Sequence, residues 1–287
     1  MHQVARIAAA ISAALVFGTT AAADNFFFST GFNPDGKIAT LSRPASPGVL
    51  QTETADDFIL GQQTSIDHAS FIGLLPSGTP LSSVNRVEIE FYHVFPADSA
   101  PPSGNVPSRM NSPADAEIGS ATRDSMDGSL SVIPAILNPT FSVLNSVVNG
   151  INKKPNQTTL GEGPVTGEEV LFNVAFNTPV LLPGDHYFFR PEVQLANGNF
   201  LWLSAPKPIV APGTPLSTDL QAWIRNDNLA PDWLRIGTDI VGGATPPTFN
   251  MEFSLSGEVV PEPTTVGLLG LGLLGLGLAR RLGSSHP

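Results

Sequence analysis

Between its two apolar ends the chain carries three histidines, His68, His93 and His186, and all 25 of its carboxylates, and these are the side chains that could move protons. The histidines lie far apart in sequence, and no H-E-x-x-H, G-x-S-x-G or G-x-x-x-x-G-K-[ST] pattern is present, so the common metalloprotease, serine-hydrolase and phosphate-loop signatures are missing. The chain has no cysteine, which excludes a thiolate nucleophile, Cys-ligated zinc and disulfide staples. A glycosidase needs only two carboxylates about 5–9.5 Å apart across a groove, and one-dimensional spacing does not reveal that geometry. Oxygen-rich runs at Asn33-Pro-Asp35-Gly36, Asp56-Asp57, Asp124 to Gly128 and Asn226-Asp227-Asn228 could supply calcium ligands. None follows the EF-hand spacing, and Asp, Asn and Gly are also the ordinary residues of turns. The reading assigns no catalytic residue, no metal ligand and no cofactor, with calcium the one ion these turns could take.

Aromatic side chains offer a second chemistry, the stacking of flat apolar faces on sugars. Trp202, inside Phe200-Leu-Trp-Leu203, reads as core. Trp223 and Trp233 stand among polar neighbours, and with Arg225 and Asp227 they form the predicted ligand face, partly exposed and suited to a glycan.

The elements that must position these groups are strands. From Arg86 to Phe95, Val87, Ile89, Phe91, His93 and Phe95 alternate with Arg86, Glu88, Glu90 and Tyr92, the period of a strand with one apolar and one polar face. His93 falls on the apolar face and reads as a hydrogen-bonded core residue. Further strands are expected at Phe26–Ser29, Asp57–Leu60, Ile66–Leu74, Val170–Phe176, His186–Leu195, Phe200–Leu203 and Asn250–Gly257, separated by Gly, Pro, Ser and Asn turns. Phe141, Leu144, Val147, Val148 and Ile151 fall at helical spacing, so one short helix is predicted near Pro139–Ile151. The fold class is therefore all-β: a single antiparallel β-sandwich, jelly-roll-like, with one short helix. The length of the middle segment suits one such domain.

Charge narrows the partners. Of the 14 Lys and Arg, Arg6, Arg280 and Arg281 lie in the ends, while every Asp and Glu lies between them, so the middle sets 11 cations against 25 anions. Such a surface repels phosphate backbones, and nucleic acid is excluded as a partner.

The ends read as addresses. Residues 1–23 run from Arg6 through an apolar Ala-rich stretch to Ala21-Ala22-Ala23, the order of a secretory signal peptide cut by signal peptidase between Ala23 and Asp24. At the other end, Val260-Pro261-Glu262-Pro263 is followed by sixteen uncharged residues, 264–279, and then Arg280-Arg281. Sixteen helical residues rise about 24 Å, a little under the ~30 Å of a hydrocarbon core. The arginines place the 280–287 end in the cytoplasm and the domain outside. Gly270-Leu-Gly272-Leu-Leu-Gly275 spells a dinucleotide fingerprint, but no strand precedes it and no βαβ unit surrounds it.

This C-terminal arrangement resembles the PEP-CTERM sorting signal of exported proteins of Gram-negative bacteria. The resemblance implies recognition of Val260, Pro261, Glu262 and Pro263, with Arg280 and Arg281 behind the membrane segment, by an exosortase, a membrane cysteine transpeptidase. It implies export through the inner membrane, transient anchoring there, and delivery to the cell surface or an exopolysaccharide matrix. Three segments follow: 1–23 signal peptide, 24–259 sandwich, 260–287 sorting signal. Ala55-Asp-Asp-Phe-Ile59, Trp202-Leu-Ser-Ala-Pro206 and Asp232-Trp-Leu-Arg-Ile-Gly237 are similar to phrases in other secreted proteins with this tail. The expected function is structural or glycan-associated and non-enzymatic; a lectin-like module, calcium-dependent or not, and a secreted polysaccharide hydrolase or lyase are the alternatives.

Overall fold

A computed structural model describes residues 24–101, 106–151 and 158–261. The signal peptide with Ala21 and Ala23, and the sorting helix 264–279 with Arg280 and Arg281, lie outside the described residues. Asp24–Val260 form one compact unit. Its strands are, in chain order, β1 (Asn25–Ser29), β2 (Ile38–Leu41), β3 (Thr52–Ile59), β4 (Thr64–Leu75), β5 (Val84–His93), β6 (Arg123–Asp124), β7 (Leu130–Val143), β8 (Asn145–Val147), β9 (Val165–Leu182), β10 (His186–Leu195), β11 (Leu201–Ala205), β12 (Trp223–Asn226), β13 (Leu234–Arg235), β14 (Asn250–Met251) and β15 (Phe253–Val259). The larger sheet has the order β1-β15-β4-β11-β2-β8, with β9 and β7 extending it from β4 and β14 pairing β11; the smaller runs β13-β12-β3-β10-β5-β6. The expectation of all-antiparallel pairing is corrected at one place, since β2 and β8 run parallel.

The sheets face each other across an aromatic core. Phe28, Phe71, Phe172, Trp202 and Phe253 from one meet Phe58, Phe91, Tyr187 and Phe189 from the other, all buried. Phe189 stacks on Phe253 with centroids 4.9 Å apart and meets Trp202 edge-on at 5.9 Å. Each such side chain contributes roughly 2–3 kcal/mol by leaving water, plus a smaller term for ring geometry. Gly73 is part of this packing: a Cβ there would stand 1.9 Å from the Phe200 ring, so only glycine lets that ring cross β4.

The predicted helix at Pro139–Ile151 is not formed. Residues to Val143 complete β7 against β9, Leu144 is exposed at the corner, and Asn145–Val147 form β8. The physical reason is twofold. Thr140, Val143, Val147 and Val148 are β-branched, and the apolar residues serve two places. Val143 joins a small cluster with Ala39, Leu41 and Leu203, whereas Val147 and Ile151 enter the main core. Two short strands around a corner thus mimic helical spacing. β7 is an edge strand, and its prolines, Pro134 and Pro139, remove two of the backbone donors that would otherwise recruit another strand.

Candidate functional site

The polar face of β5 is not turned to water. Val87, Ile89 and Phe91 enter the core as expected, but Glu90 and Tyr92 on the opposite face are buried too, as are Glu53 of β3, Arg190 and Glu192 of β10, and Arg225 of β12. Strand register sets these groups side by side: Arg225 opposes Glu53, Arg190 opposes Glu90, and Glu192 opposes Glu88, which in turn opposes Asp124 of β6. Alternation places every one of them on the outer face of the smaller sheet.

The result is a lattice of guanidinium and carboxylate. Arg190 spans Glu90, Glu53 at 3.1 Å and Glu192 at 2.6 Å. Arg225 grips Glu53 and donates to the Tyr92 hydroxyl at 3.2 Å. The Tyr92 hydroxyl lies 2.8 Å from Glu53 and 2.6 Å from Glu90, and donates to one carboxylate or the other. Arg86 bridges Glu88 at 2.8 Å and Asp124 at 2.6 Å. Gln51 donates to Glu192 at 3.2 Å.

Electrostatics separate the carboxyls. Burial alone would raise Glu53, but Arg225 and Arg190 outweigh it and hold that carboxyl below its ordinary range. Glu88 goes the other way: burial and then Glu90 push it up to about 7, against the pull of Arg190 and Arg86. Burial likewise raises Glu192 well above the usual carboxylate range, although Arg190 opposes the shift. Burial thus favours the protonated form at Glu88 and Glu192, while the arginines favour the ionised form at Glu53.

Part of this lattice lines a cleft of about 330 Å³, together with Pro44, Ala45, Gln51 and Glu117; its lattice members are Glu53, Arg86, Glu88, Glu90, Tyr92, Arg190 and Arg225. Its surface is almost wholly polar in chemistry: carboxylate acceptors, guanidinium and amide donors and one phenol. Such an array suits a hydroxyl-rich ligand, which offers donors and acceptors at every carbon.

The predicted ligand face divides. Arg225 lines the cleft. Asp227 is exposed at the turn after β12 and accepts from the Gln51 backbone at 2.9 Å. Trp223 and Trp233, expected to be partly exposed, are corrected: both are buried, at 1% and 0% exposure. Trp233 lies beneath Arg225, whose guanidinium is 4.3 Å from the ring centroid, and its indole N–H donates to the Ala114 carbonyl at 3.2 Å. Sugar stacking on these rings is thus blocked in this conformation, and the indole of Trp233 instead supports the arginine that faces the cleft. Trp202 is core, as expected.

The oxygen-rich runs do not converge. Asp56 and Asp57 belong to β3 rather than to a turn. Asp56 accepts from the Met251 backbone at 2.7 Å, and Asp57 pairs with His186 at 2.7 Å. Burial, then the neighbouring Asp57, raise Asp56 well above its ordinary range. Asp124 and Asp127 accept from backbone amides of their own turn. Among the described residues no group of three or more His, Asp and Glu side chains could hold a metal ion. His93, expected as a core residue, is corrected: it is part-buried and sits 3.4 Å from the Asp98 carboxylate and 3.8 Å from that of Asp185.

Sequence reasoning missed this site because alternation marked Glu88 and Glu90 as a solvent face, while Glu53 fell outside the predicted strands and Arg190 was given no face; the signal available was Arg190, an arginine inside the apolar run of β10.

Residues 259–281 match the family model of the PEP-CTERM protein-sorting motif. The match holds Val260, Pro261, Glu262 and Pro263 and both Arg280 and Arg281, and it opens on Val259, the last residue of β15. The motif implies an exported protein processed by an exosortase, with a transient membrane stage. Among the described residues no helix is long and apolar enough to cross a membrane. No curated protein matches the sequence.

Proposed function

We infer that the sandwich is the cargo of this sorting signal and serves, after release, as a non-enzymatic, glycan-associated component of the cell surface or of an exopolysaccharide matrix. The observation that carries the reading is the position of the matched motif, which begins where β15 ends and leaves the whole of the described sandwich upstream of it. The cleft over Glu53, Glu88, Glu90, Arg190 and Arg225 is the surface on which a glycan chain rests. Its carboxylates are held by arginines, so they act as oriented acceptors for sugar hydroxyls, and the arginines supply donors in the same plane. Recognition of this kind needs no calcium.

Two measurements test it. Intact mass of the secreted protein from its native host should give an N-terminus at Asp24 and a C-terminus near Pro263; a product still holding Arg280 and Arg281 would overturn the sorting. Purified sandwich on a glycan array should bind acidic or neutral polysaccharide without forming product, and Arg225→Met should weaken that binding.

One observation favours a second reading, a polysaccharide hydrolase or lyase. Glu88, pushed up to about 7, stands two residues from Glu90 on the same face of β5 in an open cleft, and a carboxyl held protonated near neutral pH is what general-acid cleavage requires. Reducing or unsaturated ends released from polysaccharide, and abolished in Glu88→Gln, would replace the binding reading with this one.

A further inference from the structure

The two ends of the sandwich meet at one place. The backbone N–H of Val259 donates to the carbonyl of Asp24 at 2.8 Å, and the next, of Val260, donates to the carbonyl of Gln63 at 2.8 Å in the turn between β3 and β4. That turn touches the one between β9 and β10: Leu60 N–H donates to the Asp185 carbonyl at 2.9 Å, and a Cβ on Gly184 would stand 3.0 Å from the Gln62 backbone. Asp24, Gln62, Gln63, Asp185 and Glu258 are all exposed there. The sorting motif therefore has no linker. Three residues span at most about 10 Å, so any bond cut near Pro261-Glu262-Pro263 lies within that distance of a backbone amide fixed in the sheet.

Resting on the sorting reading above, we propose that this end of the sandwich, built from Asp24, Gln62, Gln63, Asp185 and Glu258, is a docking surface for the membrane transpeptidase that makes the sorting cut. A catalytic group that must come within about 10 Å of Val260 brings its surrounding surface against these turns. The chemistry of the end says what it faces. The stretches 24–29, 60–67, 181–186 and 256–261 hold four carboxylates, Asp24, Asp67, Asp185 and Glu258, and no Lys or Arg. An anionic lipid surface repels such an end, whereas a protein presenting cations or amide donors is drawn to it. The partner thus reads two things together, the Pro-Glu-Pro peptide and the acidic end of a folded sheet, so that only a folded sandwich presents the complete substrate.

The test uses the full chain in cells that contain the sorting enzyme, with the rate of conversion from precursor to cut product followed by mass. Four forms are compared with the natural chain: the combined variant Gln62→Lys, Asp185→Lys, Glu258→Lys; an insertion of ten Gly/Ser residues between Val260 and Pro261; the two together; and Pro261→Ala, Glu262→Ala, Pro263→Ala. The surface variant should be cut about tenfold more slowly, the scale on which surface charge steers association. The insertion adds a span of about 17 Å and lets the enzyme stand off, so the combined form should be cut as fast as the insertion alone. Cutting of the surface variant at the natural rate overturns the proposal. So does faster cutting, which would mean that the end meets anionic lipid, and so does slow cutting that the insertion fails to restore, which would mean a fault in folding or export. Unchanged cutting of the alanine motif form would instead overturn the sorting reading on which the proposal rests.

Discussion

The carbonyl of Asp24 accepts from the N–H of Val259 at 2.8 Å, so the first residue after the predicted signal cleavage is laddered to the first residue of the matched sorting motif. β1 thereby closes one edge of the larger sheet, in register from Asn25–Glu258 to Ser29–Ser254.

Phe28 carries the energetics of that closure. It is buried at 1% exposure and meets Phe253 at 5.3 Å and Phe58 at 6.1 Å, one ring from its own sheet and one from the facing sheet. Phe28→Ala should cost about 3–5 kcal/mol through lost transfer energy and the cavity left behind, read as a fall in the denaturant midpoint at unchanged slope. Deleting residues 24–29 should cost at least as much.

Arg190 should prove the most sensitive polar residue of the sandwich. It is 1% exposed and is the shared partner of Glu53, Glu90 and Glu192. Arg190→Met leaves buried Glu90 and Glu192 without their cation and Glu53 with Arg225 alone, and breaking a buried pair in this way costs about 3–5 kcal/mol. Chemical denaturation of the purified sandwich measures it. Arg86→Met, in which a part-exposed arginine is removed, should cost far less.

The apolar faces were legible in the sequence because apolar side chains alternate: Val87, Ile89 and Phe91 of β5 enter the main core, as do Tyr187, Phe189 and Val193 of β10 and Phe253 and Leu255 of β15. The short strands were not. β2 (Ile-Ala-Thr-Leu) and β12 (Trp-Ile-Arg-Asn) are too brief to show a period, and β7 carries two prolines that demote it unless its edge position is known. The candidate site was half legible. Arg225 was singled out by its neighbours, but Glu53 and Arg190 stand 137 residues apart in sequence and are brought together only by the β3–β10 pairing. A polar face buried under ion pairs has the same alternating pattern as one facing water, so the pattern alone assigned Glu88 and Glu90 to solvent.

Glu88 should titrate with a midpoint near 7, followed by the side-chain carboxyl carbon in NMR spectra. Burial is the first cause and Glu90 adds to it, while Arg190 and Arg86 act against them. Glu90→Gln removes a negative neighbour and frees Arg190 to act on Glu88, and both changes favour the ionised form. The midpoint should therefore fall in that variant, and a midpoint that stays near 7 would assign the shift to burial alone.

Glu252 gives the fold a pH dependence of defined sign. Its carboxyl is 2% exposed between β14 and β15, and burial, followed by repulsion from Glu169 and Asp35, pushes it up to about 8. A carboxyl whose folded value lies above its unfolded value of about 4.5 binds its proton more tightly in the folded state. Its contribution is fully present below pH 4.5 and is lost as the pH climbs through 8, because folding then holds a buried anion or retains a proton against the solution. The loss is on the order of a few kcal/mol across that window. Glu252→Gln keeps the shape and removes the titration, so its thermal midpoint should vary less between pH 5 and pH 9 than that of the natural chain and should exceed it at pH 9. Equal slopes for the two proteins across that range would show that Glu252 finds a compensating partner when it ionises.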